Sequence, residues 1–245
     1  TEQQIGGAYG LQKLGIEKVS GQNKLEVRLL PNDNFNGLIS GTVVTVRWVT
    51  TPGVTVTGPA YVDPNYLTVN GPILNQGTTT DGLFSYATFA TIGSDVLANA
   101  GLSWSANTEV PFFRVNYTNT SSSCVTFEVV SDAYQTTNNL NWFISLNAVD
   151  KTNGYIPGKT SVMGYPAASC QNVTATLDVT GNASITAAQV NTGFLSCPAV
   201  GLSLSQSAFT CADLGANPVT LTATDGYGTI TTCAATVTVI DADTD

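Results

Sequence analysis

The 245-residue sequence predicts an all-β protein built as two β-sandwich domains, and three observations predict it. Apolar residues recur with period two, Gly, Pro and Asn-Gly pairs break the chain at short intervals, and helical periodicity is weak throughout. Leu25, Val27 and Leu29 alternate with Glu26 and Arg28; Val44, Val46 and Trp48 alternate with Thr45 and Arg47. Farther along, Val219, Leu221 and Ala223 alternate with Thr220, Thr222 and Thr224, and Val237 and Val239 with Thr236 and Thr238. Each run reads as a strand with one buried face and one wet face lined by Thr, whose β-branch favours extended backbone.

In chain order, residues 1–23 precede the first clear strand. Ile5, Tyr9, Leu11, Leu14, Ile16 and Val19 make this segment too apolar for a solvated tail. It reads as an N-terminal arm that either packs on its own domain or is lent to a neighbour to complete an open sheet edge. The second alternative makes Ile5, Tyr9, Leu11 and Leu14 candidate subunit contacts. Residues 24–167 follow as the first sandwich, with strands expected at 24–30, 42–49, 84–89, 111–117 and 124–130. Asn36-Gly37, Asn70-Gly71, Asn153-Gly154, Gly181-Asn182 and Asp225-Gly226 are turn signals. Short helical turns are expected at 94–100, with Ser94 as cap and Gly101 as stop, and at 185–190. The stretch 164–169 is a short junction, and 168–245 is the second sandwich.

Composition excludes much chemistry. Charged residues are 10% of the chain, against about 25% in an ordinary globular protein. Eight Lys and Arg against 17 Asp and Glu give a net charge of −9, which disfavours nucleic-acid phosphates and anionic membranes as partners. Lys159 is the last basic residue, and six acids follow it, so charge as well as sequence pattern changes there. The chain contains no His, which removes Ser-His-Asp and Cys-His catalysis and His-ligated metals. There is no P-loop, no GxGxxG and no apolar run near the roughly 20 residues of a membrane span. A chain beginning at Thr1 is expected to be a fragment or a product whose leader was removed.

Four of the five cysteines, Cys170, Cys197, Cys211 and Cys233, lie in the second module, which is small for a core alone. They allow three pairings. Cys170–Cys233 would tie the first strand to the last, and Cys197–Cys211 would close a local loop; a ~15-residue loop is worth ~3 kcal/mol in the chain-entropy model. Such bridges imply a secreted, extracellular or cell-surface protein. Cys124 is then the odd thiol, either buried and inert or bridged to another chain.

Cys170-Gln-Asn-Val-Thr-Ala-Thr-Leu-Asp178, the run 202–211 ending in Cys211, Val219-Thr-Leu-Thr-Ala-Thr-Asp-Gly226 and the run 232–239 around Cys233 together resemble the Ig-like, hyalin-repeat-type modules of secreted surface and adhesin proteins of Bacteroidota. The resemblance covers nearly all of 170–245 and implies an immunoglobulin-like sandwich with Cys170–Cys233 and Cys197–Cys211 bridges and no active site. The sequence departs from the usual Asp-Asn-Cys at Leu195-Ser-Cys197-Pro. The first module, through its strand segments, is similar to cohesin-like and carbohydrate-binding jelly rolls, and its stretch 104–113, Asn141-Trp-Phe-Ile-Ser-Leu146 and Thr152-Asn-Gly154 resemble N-terminal modules of Bacteroidota surface proteins. The cohesin-like similarity implies protein or glycan contact.

Two readings apply to the aromatics. Trp48 is in phase with Val44 and Val46 and belongs to a core. Trp104, among Gly101, Ser103 and Ser105, and Tyr61 and Tyr155, in Pro- and Gly-rich loops, are candidate glycan contacts. A glycosidase would need two carboxylates across a cleft; Glu109, Glu128, Asp132 and Asp150 are the candidates, and none sits in a motif. No cofactor is required, but Asp33 and the tail acids Asp241, Asp243 and Asp245 offer the hard oxygens calcium takes. The expectation is a non-enzymatic structural or adhesive subunit of a bacterial surface filament or array, associating with itself or with neighbouring modules. The alternative is a carbohydrate-binding adhesin module.

Overall fold

The computed structural model describes residues 11–19, 22–121, 123–164, 169–192, 201–224 and 230–242. These residues divide into two compact units. The first comprises Leu11–Val19, Asn23–Tyr117 and Val125–Gly164; the second gathers Gln22, the described residues of 118–124 and those from Ser169 onward.

The first unit contains strands β1 (Gln12–Lys18), β2 (Lys24–Pro31), β3 (Ile39–Val49), β4 (Val54–Tyr61), β5 (Leu74–Thr80) and β6 (Phe84–Ile92). It continues with β7 (Val110–Asn119), β8 (Val125–Glu128), β9 (Phe143–Leu146), β10 (Val149–Asp150), β11 (Thr152–Tyr155) and β12 (Ser161–Gly164). One sheet has five strands in the order β11-β1-β2-β7-β4. The other has seven: β10-β9-β3-β6-β5 run in that order, and β8, paired to β12, meets β3 at Arg47. Both sheets put their alternate apolar residues into one core. Leu25, Val27 and Leu29 of β2 share it with Val44, Val46 and Trp48 of β3. Rings cross between the sheets: Phe89 lies 5.8 Å from Phe113 and Phe127 5.0 Å from Tyr117, and Phe127 also lies 5.8 Å from Trp48 of its own sheet.

Residues 12–18 form a strand of this sandwich, so this part of the N-terminal segment packs on its own unit, the first of the two readings. They pair antiparallel with β2, from Gln12 opposite Pro31 to Lys18 opposite Leu25, and parallel with β11. The reason is the period-two pair Leu14 and Ile16, each 1% exposed in the core. Gly15 between them stands where a Cβ would come within 2.8 Å of Ile156 Cδ1, so the absence of a side chain lets Ile156 cover the strand. Leu14 is therefore spent inside its own unit and is not a subunit contact. Leu11 stays at the surface, and Ile5 and Tyr9 lie outside the described residues.

Two short helices, α1 (Asn65–Asn70) and α2 (Ala133–Thr137), have no counterpart in the sequence pattern. The turn expected at 94–100 is a single 3₁₀ turn, Leu97–Ala100, stopped by Gly101 at φ 72°. Ser94 does not cap it: the turn starts later, with Val96 at the N-cap and no side-chain capping bond, and the backbone N–H groups of Ser94 and Asp95 both donate to Val69 O of α1, at 2.8 and 3.1 Å.

The second unit contains β13 (Val173–Leu177), β14 (Asn182–Ser184), α3 (Ala187–Val190), β15 (Gly201–Leu204), β16 (Ala208–Thr210), β17 (Gly215–Thr224) and β18 (Ile230–Asp241). The long strands form a sheet in the order β13-β18-β17-β15, and β14 pairs with β16. Leu177, Val219, Leu221, Val237 and Val239 from the sheet bury against Ile185, Val190 and Phe209. Thr186 and Gln189 cap α3 reciprocally.

Cys170 and Cys233 form a disulfide across a sequence separation of 63 residues. A loop of that size is worth about 4 kcal/mol in the chain-entropy model. The remaining sulfur differs from the expectation. Cys211 is a free, exposed thiol, so it does not close a local loop with Cys197, while Cys124 is disulfide-bonded and is not the odd thiol. Cys211 opens a 3₁₀ turn, Cys211–Asp213, in which Thr210 and Asp213 cap each other's backbone, and its Sγ lies 3.6 Å from Gly181 O. Cys197 lies outside the described residues.

Leu14→Ala is expected to lower the unfolding free energy by about 2–5 kcal/mol, the cost of a core truncation. Urea denaturation measures it; a change near zero would return β1 to the status of a detachable arm. Alkylation of the native protein without reductant, followed by peptide mapping, is expected to label Cys211 and to leave Cys124, Cys170 and Cys233 unlabelled. Label at Cys124 would contradict the assignment.

Candidate functional site

Three features of the first unit bring together side chains that could act on a partner: an ionic cluster on each sheet and the aromatic pocket around Trp104. On the five-stranded sheet, Glu17 of β1, Glu26 of β2 and Arg114 of β7 form one cross-strand row. Arg28 of β2 hydrogen-bonds Glu26 and donates from Nε to Glu109 Oε2 at 2.9 Å. Arg114 Nε donates to Glu26 Oε2 at 2.9 Å, and Lys159 Nζ bridges Glu17 and Glu109, at 2.6 Å to each. Three acids and three bases neutralise one another, which is a structural ladder and offers no uncompensated charge to a substrate.

On the seven-stranded sheet, Arg47 of β3 lies between Glu128 of β8 and Tyr86 of β6. Its Nε donates to Glu128 Oε2 at 2.9 Å and its Nη1 to Asp132 Oδ2 at 2.6 Å, while the guanidinium stands 4.3 Å from the centre of the Phe84 ring. The Tyr86 hydroxyl lies 2.8 Å from Asp81 Oδ2 and 3.1 Å from Asp132 Oδ2, and the Tyr134 ring stacks on Tyr86 at 4.6 Å. Asp132 also caps α2 by accepting from Gln135 N at 2.8 Å. Burial together with the two carboxylates pushes the Tyr86 phenol well above the ordinary tyrosine range.

These partners account for the glycosidase candidates. Glu128 and Asp132 are tied to one guanidinium, Glu109 to two cations, and Asp150 accepts from Thr152 N at 2.9 Å in a turn. Burial pushes Asp132 and Glu109 up. The Gln135 N–H, Arg47 and Tyr86 outweigh it at Asp132, and Lys159 and Arg28 outweigh it at Glu109, so both sit below their ordinary values. A general acid needs the opposite shift.

Of the aromatics expected at a glycan, Trp104 is buried and Tyr61 and Tyr155 are half-buried. Trp104 is 2% exposed, donates from Nε1 to Tyr66 OH at 2.9 Å and packs on Phe35 at 5.5 Å. The open pocket beside it, of about 310 Å³, is lined by Asn34, Asn36, Ser103 and Ser105 together with Phe35 and Trp104, and both rings are buried. Tyr61 stacks on Tyr66 at 5.8 Å and donates to Gly71 O at 2.9 Å; burial pushes its phenol up to about 12, against a hydrogen bond with Thr91. Tyr155 lies half-buried with its hydroxyl 2.8 Å from Ser131 Oγ. The structure thus does not bring Trp104, Tyr61 and Tyr155 into one stacking platform.

Asp33 Oδ1 accepts from the next backbone N–H at 2.8 Å, and Asp241 ends β18 at the surface. Asp243 and Asp245 lie outside the described residues. Among the described residues no three His, Cys, Asp or Glu side chains gather as a metal site, and no helix is long and apolar enough to cross a membrane.

Sequence reasoning missed an apolar row on the outer face of the seven-stranded sheet. Pairing sets Phe143 of β9, Val43 of β3, Ala90 of β6 and Leu74 of β5 side by side, and the next outward row holds Ser145, Gly41 and Ile92. Ile144, Val44 and Phe89, their neighbours in sequence, are wholly buried, so this row points outward. Phe143, Leu74 and Ile92 are 36%, 49% and 73% exposed. Only pairing brings these residues together, since they lie on four strands.

No protein-family profile matches the chain, and no curated protein does. Among solved structures the chain is similar to the solution structure of CaCohA2, a cohesin domain from Clostridium acetobutylicum, at 12% identity and a TM-score of 0.34. The alignment covers 63% of this chain and 90% of that one.

The depressed carboxylates set a pH dependence. A group whose folded pKa lies below its unfolded value stabilises the fold above the unfolded value and loses that contribution as pH falls through the folded one. The urea midpoint is expected to stay level through neutral pH and to fall below about pH 5, where unfolded Asp and Glu begin to protonate. The drop should be smaller in Asp132→Asn, which has one such carboxylate fewer. An equal drop in both proteins would remove Asp132 from the account.

Proposed function

We propose that the chain is a non-catalytic module that works by protein–protein contact, a structural or adhesive subunit of an extracellular assembly in which copies of the chain pack on one another. The outward row of Phe143, Val43, Ala90, Leu74 and Ile92 carries this reading. A contiguous apolar surface on a folded unit is where a protein contact forms. The surrounding chemistry supports it: Glu109, Glu128 and Asp132 are engaged in ion pairs, Trp104 is interior, and the half-buried Tyr61 and Tyr155 are hydrogen-bonded within the chain. The Cys170–Cys233 bond supports an oxidising, extracellular location. A bacterial surface filament or adhesive array is the assembly that suits a self-associating sandwich with a sparsely charged, Thr-rich surface.

Light scattering across a concentration series, with negative-stain microscopy of the same samples, tests the reading. The protein is expected to self-associate, and the double variant Phe143→Asp, Ile92→Asp to remain monomeric with an unfolding free energy within about 1 kcal/mol of the parent, since both sites are exposed. A parent that stays monomeric at every concentration, or a variant that associates like the parent, would overturn it.

A further inference from the structure

Three Asn-Gly steps occur in the sequence, at Asn36, Asn70 and Asn153, and the structure places them in three different backbone environments. Asn70 ends α1 and is 1% exposed, and the Gly71 N–H is already donated to Leu67 O at 3.0 Å. Asn36 and Gly37 are held by two backbone bonds, from Ala98 N to Asn36 O and from Leu97 N to Gly37 O, each 2.9 Å. Gly37 is also crowded: a Cβ there would lie 2.8 Å from Asn147 Oδ1.

Asn153-Gly154 is not the turn that its sequence suggests. It lies in β11, an edge strand, where Gln12 pairs with Thr152 but Leu14 pairs with Tyr155. Two steps on β1 therefore match three on β11, and the extra residue makes a bulge. In that bulge the Gly154 N–H donates to the side-chain Oδ1 of Asn153 itself, at 2.8 Å. Gly154 is exposed, with nothing within 4 Å of the position a Cβ would take. The backbone nitrogen and the side-chain amide that must react are thus already in contact, with open space beside Gly154.

We infer that Asn153 is a spontaneous modification site, deamidating through a succinimide to aspartate and isoaspartate while Asn36 and Asn70 are protected. The deprotonated Gly154 nitrogen attacks Asn153 Cγ and forms the N–Cγ bond. The Cγ–Nδ2 bond breaks, and the amide leaves as ammonia, taking up through solvent the proton lost from Gly154. Water then opens the ring. Attack at Cγ breaks the new bond and gives aspartate; attack at the main-chain carbonyl carbon breaks the original peptide bond and gives isoaspartate, with the chain rerouted through Cγ. Either product adds one negative charge to the sheet edge. The isoaspartyl product also lengthens β11 by a methylene and converts to a carboxylate the carbonyl that accepts the Trp142 Nε1 hydrogen bond, at 3.1 Å.

The test is incubation of the full chain in mildly alkaline buffer, with peptide mapping by mass spectrometry, an isoaspartyl methyltransferase assay and tryptophan fluorescence. Asn153 is expected to deamidate roughly tenfold or more faster than Asn36 or Asn70, which is a barrier lower by at least ~1.4 kcal/mol. Isoaspartate should accumulate at 153 together with a change in tryptophan emission. Gly154→Ala, which the open space accommodates, is expected to fold normally and to suppress the reaction. A rate at Asn36 or Asn70 equal to that at Asn153, or a Gly154→Ala protein that deamidates at the parent rate, would overturn the inference.

Discussion

Phe127 sits between Trp48 and Tyr117, and this contact joins the two sheets of the first unit. Trp48 and Phe127 come from the seven-stranded sheet and Tyr117 from the five-stranded one, so the rings interlock across the core. Each is at most 2% exposed. Backbone hydrogen bonds hold the strands within each sheet, so cohesion between the layers comes from the shared apolar core, in which these rings are among the largest side chains. That core fixes which face of each strand is inner, and with it which side chains face solvent.

Once the inner faces are set, the outer faces follow from register. The low charge of the chain makes their organisation unusual. Of eight basic residues, Arg28, Arg47, Arg114 and Lys159 are committed to two clusters, and Lys18 hydrogen-bonds the buried Tyr117 hydroxyl. Cations spent on intramolecular carboxylates leave surface built from hydroxyls, amides and apolar side chains. Such surfaces shed less tightly held water than Lys and Glu faces when they meet another protein.

The strands were legible where alternation is unbroken. Leu25, Val27 and Leu29 and Val44, Val46 and Trp48 place both a strand and its buried face, and Trp48 is interior as its phase implies. Alternation cannot show how far a strand is covered from outside. Thr45 reads as a wet-face residue but is 2% exposed, and its cross-strand partner Thr88 is 5% exposed, beneath the segment that carries α2. The Thr45 hydroxyl donates to Leu140 O at 2.6 Å and lies 3.0 Å from that of Thr88. Trp104 misleads in the opposite sense. Its Ser and Gly neighbours suggest a loop, yet a single antiparallel bridge to Phe35 turns the indole inward to Tyr66. The bulge at Asn153 was hidden because Asn-Gly signals a tight backbone whether the chain reverses there or continues.

The outer face of the seven-stranded sheet inverts the usual distribution. Its hydroxyl rows, Thr45 with Thr88, are covered by the chain's own excursion, while its apolar rows, Phe143 with Val43 and Leu74, and Ile92, remain in solvent. Covering apolar surface contributes about 25 cal/mol per Å², whereas covering a hydroxyl contributes little beyond the hydrogen bond it must regain. A fold shaped for stability alone would have laid the α2 segment over Phe143 and Ile92. Its placement over threonines, tied down through Asp132 to Arg47 and Tyr86, leaves the apolar rows available for burial by contact with another molecule.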